Sequence, residues 1–210
     1  MAFPTTGVLD NFTGTDGTDL PVYSSNWSTP TDSGACEIQG NAATSVSGFG
    51  TSIWNVGDFG PGAEVHFKLD TVTTDSNASA GWVNGQGTGA ESTIDGYMIL
   101  VRGNDQVEIH RLDNFSFTQL GADFTQTTAA GDSVGLESLS DGTLTAYYKA
   151  GAGSWTALGT RSDATYTGSA GRIGISSNAT PRLDDFGGGT IVAAGGGSAR
   201  SRFLPSLGVA

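Results

Sequence analysis

The chain has 210 residues, of which 33 are glycine, and its 21 acidic and 9 basic side chains give a formal charge of −12. This length suits one β-sandwich, and abundant glycine, serine and threonine is typical of short strands and tight turns. So acidic a surface repels nucleic acid and anionic membranes, which bind through clustered Lys and Arg, so we expect neither partner. Cys36 is the only cysteine, which excludes an intrachain disulfide and a cysteine metal site.

Two similar tetrapeptides stand near the two ends of the patterned region. Leu9-Asp10-Asn11-Phe12 opens the first patterned segment, and Leu183-Asp184-Asp185-Phe186 closes the last one. In a sandwich whose first and last strands pair, the two tetrapeptides would lie side by side and close the domain. We therefore expect one domain over residues 1–187, whose last strand ends at Phe186, and a tail over residues 188–210.

Period-2 alternation places the central strands. In Glu64–Leu69, polar and apolar residues alternate, so Val65, Phe67 and Leu69 share one face. Tyr97–Val101 is apolar at every position, which predicts a strand covered on both sides.

Two hairpins are predicted after these strands. Gln106–Leu112 follows Tyr97–Val101 through a short polar turn. Asp132–Ser138 and Thr143–Lys149 flank Asp141-Gly142, and Asp-Gly between β-prone runs is a strong hairpin signal. With the shorter segments, we expect about twelve to fourteen strands in two sheets.

The order of these segments resembles that of concanavalin A-like lectin/glucanase domains, the laminin-G-like jelly rolls. The residues that carry the resemblance are Asp10-Asn11-Phe12, Gly96-Tyr97, Gly131-Asp132, Gly168–Ile175 and Asp184-Asp185-Phe186. The resemblance covers residues 8–187 and implies an all-β, two-sheet antiparallel jelly-roll β-sandwich with paired first and last strands. This fold carries lectins, hydrolases and structural modules, so it implies no single function.

The acidic residues do not form the pattern that a glycoside hydrolase of this superfamily needs. Those enzymes place carboxylates at alternate positions of one strand, so that two of them face the same cleft. None of the five glutamates has a second acid two or four residues away on the same strand, because Glu91 and Asp95 are separated by a predicted loop. We expect no catalysis and keep a glycoside hydrolase as the last alternative.

Metal ligands are few in the sequence. His66 and His110 share the parity of polar residues on alternating strands, which predicts that both face solvent. We expect no required cofactor, and Ca²⁺ is the ion whose oxygen ligands the chain offers. Asp16 and Asp19, in an acidic loop with glycine, are the candidate ligands. The alternative is an ordinary polar turn.

A sugar site needs an aromatic ring for the C–H face of the sugar and amides or acids for its hydroxyls. Trp82, Asn84 and Gln86 combine these groups on a glycine-rich segment and are our candidate carbohydrate-binding residues. The alternative is that Trp82, like Trp27, Trp54 and Trp155, packs inside the sandwich or at its edges.

The tail has a chemistry of its own, because two glycine runs precede a basic and apolar peptide. Its candidate docking residues for a partner are Arg200, Arg202, Phe203, Leu204 and Leu207. A flexible linker that ends in such a peptide predicts an arm that docks on a protein scaffold or a sister subunit. The alternative is that the tail folds back on its own sandwich.

Two functions from different classes follow. The first is a non-enzymatic component of an assembly, such as a capsid decoration or tail-associated subunit of a phage virion. This hypothesis leaves room for glycan binding by the same subunit. The second is an extracellular carbohydrate-binding module. The N-terminal residues show no basic segment followed by an apolar one, so we expect synthesis in the cytoplasm without a signal peptide. We expect a homo-oligomer or a larger assembly, located in a virion or, alternatively, outside the cell.

Overall fold

The computed structural model describes residues 2–73, 76–103 and 105–192. In chain order its strands are β1 (Val8–Asp10), β2 (Trp27–Ser28), β3 (Cys36–Ile38), β4 (Ala43–Ser45), β5 (Phe49–Phe59), β6 (Ala63–Thr71), β7 (Ala78–Gln86), β8 (Asp95–Arg102), β9 (Gln106–Asp113), β10 (Ser116–Gln119), β11 (Phe124–Thr125), β12 (Ser133–Ser138), β13 (Thr143–Lys149), β14 (Thr156–Ser162), β15 (Gly171–Asn178) and β16 (Arg182–Thr190). A four-residue helix α1 spans Leu20–Tyr23, and a 3₁₀ helix spans Glu91–Thr93. In these described ranges, no helix is long and apolar enough to span a membrane.

The strands form two antiparallel sheets that pack face to face. Sheet 1 has the order β14-β13-β12-β6-β16-β4-β3, with β1 beside β16, and sheet 2 has the order β10-β9-β8-β7-β15-β5-β2, with β11 beside β9. Strands that are distant in sequence, such as β6 and β16, are neighbours in the middle of a sheet. The fold is therefore the all-β, two-sheet jelly-roll sandwich that the sequence predicts.

The first and last strands pair, as expected, and they seal one end of the core. Asp10 of β1 lies opposite Phe186 of β16. Phe12 and Phe186 are both fully buried, and their rings lie 5.6 and 5.0 Å from the ring of Trp27. Each tetrapeptide thus supplies one phenylalanine to the same aromatic cluster.

The closing strand is longer than predicted. β16 continues to Thr190 rather than ending at Phe186, because Gly187–Gly189 pair with β6. At Gly187 the imidazole of His66 occupies the space where a Cβ would stand, so only glycine allows the two strands to approach there.

The core between the sheets follows the predicted alternation. Val65, Phe67 and Leu69 are at most 1% exposed, and they face the other sheet. Strand β8 is buried on both sides, because its residues contribute alternately to this core and to a second apolar cluster. That second cluster lies on the outer face of sheet 2 and contains Ile53, Ala78, Ala80, Trp82, Ile94, Met98, Leu100 and Leu112.

Both predicted hairpins are confirmed. β8 pairs with β9, and β12 pairs with β13 across the turn at Asp141-Gly142. The described ranges contain sixteen strands rather than twelve to fourteen. The count was low because strands of two or three residues, such as β2 and β11, are too short to show period-2 alternation.

Candidate functional site

Trp82 is not a surface platform for a sugar, which corrects the prediction for this residue. Its side chain is fully buried in the second apolar cluster. The indole lies flat over Gly85 and Gly174, where an added Cβ would collide with the ring. Because these two positions lack a Cβ, the indole packs directly against the sheet. Trp82 is therefore a packing residue, which is the alternative that the sequence left open.

Asn84 and Gln86, the other predicted sugar contacts, donate hydrogen bonds to backbone carbonyls. The buried Asn84 donates through Nδ2 to the carbonyls of Pro61 and Ser169, at 3.2 and 3.3 Å. Gln86 donates through Nε2 to the carbonyl of Ala170 at 2.6 Å. These amides hold two loops at the end of β7, and the predicted trio does not form one exposed surface.

The acidic loop at Asp16 and Asp19 is formed, but the carboxylate of Asp16 bonds to the backbone, and the side chain of Asp19 makes no capping hydrogen bond to α1. Oδ1 of Asp16 accepts a hydrogen bond from the backbone N–H of Gly40 at 2.7 Å, and Asp19 precedes the first residue of α1. Ca²⁺ takes six to eight oxygen ligands, whereas no group of three or more His, Cys, Asp or Glu in the described residues is arranged to hold a metal ion. The Ca²⁺ site stays a prediction that this geometry does not strengthen.

The two histidines lie on the outer faces of the sheets, as their parity predicts, but they do not face solvent. Both are 6% exposed. Phe3 and Trp155 cover His66, and Phe117 covers His110. The prediction of exposure was wrong because aromatic rings from other strands and segments cover both histidines.

The docking residues predicted in the tail, Arg200, Arg202, Phe203, Leu204 and Leu207, lie outside the described residues.

A different set of aromatic and polar residues lies together on the outer face of sheet 2. A groove of about 250 Å³ opens there, with Ala78 and Leu100 as its floor. The rings of Phe49 and Phe117 border it and contact each other edge to face, with their centroids 6.2 Å apart and their planes at 71°. Phe117 is 44% exposed, and every other aromatic side chain among the residues that the structure describes is buried or half-buried. An accessible ring beside an apolar floor is the surface on which the C–H face of a sugar can stack.

Polar groups line the same groove. Arg102 donates through Nε to Oε1 of Glu108 at 2.9 Å, and Nε2 of His110 lies 2.6 Å from Oε2 of Glu108. Burial alone would raise the pKa of Glu108, but the hydrogen bonds with His110 and Arg102 outweigh burial and lower the pKa. The carboxylate is therefore ionised at neutral pH and engaged on both oxygens, so it positions Arg102 and His110.

Asn178 completes the polar lining at the other end of the groove. Its Oδ1 accepts a hydrogen bond from the backbone N–H of Ala78 at 2.7 Å, and its Nδ2 donates a long hydrogen bond of 3.4 Å to the carbonyl of Gly48. The groove therefore combines aromatic rings, an amide, a guanidinium and an imidazole, with a nearly balanced charge.

Sequence reasoning missed this groove because its residues come from six different strands and an exposed ring leaves no mark in the sequence. The one available signal is the Phe115-Ser116-Phe117 segment, in which two phenylalanines lie within four residues of the end of β9 at Asp113. Phe115 supports Phe117 from below, with ring centroids 5.3 Å apart.

Comparisons with known proteins identify the fold. No family model matches the sequence, and no curated protein matches it significantly. Among solved structures, the potassium-bound carbohydrate recognition domain of Emp46p superposes with a TM-score of 0.58 at 13% identity and covers 92% of this chain and 100% of that one. The Ca²⁺/Man3GlcNAc-bound exoplasmic/lumenal domain of VIP36 gives 0.55 at 12% identity, over 85% of this chain and 89% of that one.

A carbohydrate-binding module of another type is also similar. The CBM66 module from Bacillus subtilis gives a TM-score of 0.53 at 15% identity and covers 78% of this chain and 95% of that one. At such low identities the likeness concerns the fold alone. The chain thus has the concanavalin A-like jelly-roll fold that the sequence resemblance implied.

Proposed function

We propose that this chain, a concanavalin A-like jelly roll, binds carbohydrate without cleaving it and that the groove beside Phe117 is its binding surface. The observation that carries the proposal is the exposure of the Phe117 ring over an apolar floor, with polar side chains at the rim. The solved structures with this fold named above are a carbohydrate recognition domain, an exoplasmic/lumenal domain with bound Ca²⁺ and Man3GlcNAc, and a carbohydrate-binding module, which supports a sugar as the ligand.

Stacking and hydrogen bonding have separate roles in this proposal. The ring of Phe117 meets the apolar face of one sugar unit, and the ring of Phe49, which contacts Phe117 edge to face, borders the same surface. Arg102 and Asn178 offer N–H groups to the sugar hydroxyls. The guanidinium of Arg102 is neutralised by Glu108 at 2.9 Å, so the groove favours a neutral sugar over an acidic one.

The groove lacks the features of a hydrolytic site. A glycosidase needs two carboxyl groups on opposite sides of the scissile bond, one of which must be free to donate a proton. The carboxylate beside this groove, Glu108, has a lowered pKa and is held by Arg102 and His110. We therefore assign the groove to binding and not to turnover.

A glycan array tests the proposal, with wild type, Phe117→Ala and Val22→Ala compared on the same slides. Val22 is 77% exposed on α1, away from the groove, and its variant controls for loss of an exposed apolar side chain. Loss of one stacked ring should weaken binding about tenfold or more, whereas Val22→Ala should bind like wild type. If Phe117→Ala binds glycans like wild type, the groove is not the binding surface. If wild type binds no glycan on the array, the protein does not have the proposed function. Incubation of the bound glycans with the protein should yield no cleavage products.

The assembly role predicted from the tail, including a place in a virion, stays a prediction. It rests on residues 188–210, most of which lie outside the described residues, and the solved structures named above do not test it.

A further inference from the structure

A second pocket lies on the outer face of sheet 1, the sheet opposite the groove. It has a volume of about 290 Å³. Its floor comes from β6, β12 and β13, and its walls are the N-terminal segment and Trp155. The register places Lys68, Ser133 and Lys149 in one row across these three strands, with Ser133 directly opposite both lysines.

The N-terminal wall is held firmly to the sheet. Oε1 of the buried Glu64 accepts hydrogen bonds from the backbone N–H groups of Thr5 and Thr6, at 2.7 and 2.6 Å, and from the hydroxyl of Thr6 at 2.6 Å. Phe3 fills the space over Gly135 and stacks on Tyr147, with ring centroids 4.0 Å apart. The N-terminal wall of the pocket is therefore fixed in place.

The charge of this pocket departs from that of the whole chain. The chain has a net charge of −12 and only two lysines, and both of them line this pocket, as does the carboxylate of Asp185. Lys68 is paired with Asp184 at 2.7 Å and with Asp185 at 3.3 Å. Lys149, by contrast, has no carboxylate within 4.0 Å among the described residues, and its Nζ lies 5.5 Å from the ring centroid of Trp155. An ammonium without a carboxylate is unexpected on such an acidic surface.

Further polar groups stand beside Lys149. Ser133 offers a hydroxyl in the next strand, and Nε2 of the buried His66 makes no hydrogen bond within the described part of the chain. Asp184 and Asp185, the partners of Lys68, lie on β16, three strands away from Lys149, which corresponds to about 14 Å at the usual strand spacing. The Lys149 end of the pocket is therefore the end that is favourable to a negative group.

We propose that this pocket binds a small oxyanion at Lys149 and Ser133, with Trp155 as the adjoining wall. A carboxylate-bearing sugar suits the site, because its carboxylate can pair with Lys149 while its ring contacts the indole. An inorganic oxyanion such as phosphate would use the same two groups without the indole. The proposal does not depend on the groove of sheet 2, because the two sites share no residue.

Tryptophan fluorescence provides a local readout. Trp27, Trp54 and Trp82 are at most 5% exposed, whereas Trp155 is half-buried at the pocket. Glucuronate and galacturonate are titrated into the full chain in low-salt buffer, with glucose, galactose and inorganic phosphate in parallel. The variants are Lys149→Gln, Lys149→Arg and, as a control at the other site, Phe117→Ala.

We expect saturable binding of an anion that weakens about tenfold or more in Lys149→Gln, is retained in Lys149→Arg, and is unchanged in Phe117→Ala. Binding of the uronates but not of the neutral sugars identifies an acidic saccharide, and binding of phosphate alone identifies an inorganic anion. The proposal is overturned if no anion binds up to about 10 mM or if Lys149→Gln, shown to be folded by its thermal transition, binds like wild type.

Discussion

Trp27 donates its indole N–H to Oδ2 of Asp10 at 2.8 Å, and this hydrogen bond joins the opening tetrapeptide to the aromatic cluster under the closing strand. Oδ1 of the same buried carboxylate accepts from the backbone N–H of Phe12 at 2.8 Å and from the hydroxyl of Tyr23 at 3.0 Å. Asp10 is therefore the polar centre of the seam where the first and last strands meet.

Removal of this carboxylate should destabilise the fold. Asp10→Ala leaves the buried indole N–H of Trp27 without an acceptor, so we expect a loss of about 3 kcal/mol in the free energy of unfolding. Urea denaturation followed by tryptophan fluorescence measures the loss. Asn11→Ala, at the exposed neighbouring position, should change stability by less than about 0.5 kcal/mol. If the two variants unfold at the same urea concentration, Asp10 does not hold the seam.

Substitution of Trp82 should act on stability and not directly on ligand binding. Because the indole is fully buried over two glycines, Trp82→Ala leaves a cavity and should cost about 3–5 kcal/mol. Thermal unfolding measures this cost, and glycan binding is measured well below the transition. A variant that unfolds like wild type but loses all glycan binding would restore Trp82 as a direct sugar contact.

The carboxylate of Asp163 predicts an acid-dependent contribution to stability. Burial alone would raise its pKa, but hydrogen bonds from Thr165, Tyr97 and Arg111 outweigh burial and lower the pKa from 3.8 to about 2. Because the folded pKa lies below the unfolded one, the stabilisation is complete above about pH 4 and is lost as the pH falls through about 2. Asp163→Asn should cost about 1–2 kcal/mol at pH 7, and the difference from wild type should shrink toward pH 2.

The pH dependence of unfolding by urea checks this prediction. Asp58→Asn is the matched control, because Asp58 is 59% exposed and its ion pair with Arg172 at 2.7 Å lies at the surface, where such pairs contribute about 0–1 kcal/mol. A difference between wild type and Asp163→Asn that stays constant from neutral to acid pH contradicts the assigned role of Asp163.

The tail hypothesis also has a direct test. Deletion of residues 195–210 should leave the thermal transition of the sandwich unchanged, because β16 and the contacts of Ile191 and Val192 are retained. If the tail docks on sister subunits, light scattering should show a smaller particle for the deleted chain. If the deleted chain keeps the same number of subunits per particle, the tail is not the oligomerisation element.

The fold could be predicted from the sequence wherever one side of a strand faces the core. Val65, Phe67 and Leu69 alternate with polar residues, and the Asp141-Gly142 turn sets its hairpin, so local patterns were sufficient there. The end of β16 was missed because Gly187 owes its place in the strand to the His66 ring of another strand. No local pattern contains that contact.

The candidate sites could not be predicted in the same way. Whether an aromatic side chain is buried depends on what covers it, and the alternation in the sequence does not show that Trp82 lies under a second cluster while Phe117 remains open. The pocket on sheet 1 likewise exists because Phe3 and Thr5–Thr6 fold over β6 and β12. Both outer faces are built from residues that are far apart in sequence.

Glycan binding in the groove of sheet 2 can be located residue by residue when isotope-labelled protein is titrated with the glycan that binds best on the array and its amide chemical shifts are followed. We expect the largest shifts at Phe49, Ala78, Leu100 and Phe117, and we expect Phe117→Ala to reduce the shifts of the other three strongly at the same glycan concentration. Largest shifts at Asn84 and Gln86, or at Trp155, with those four residues unmoved, would contradict the assignment of the groove.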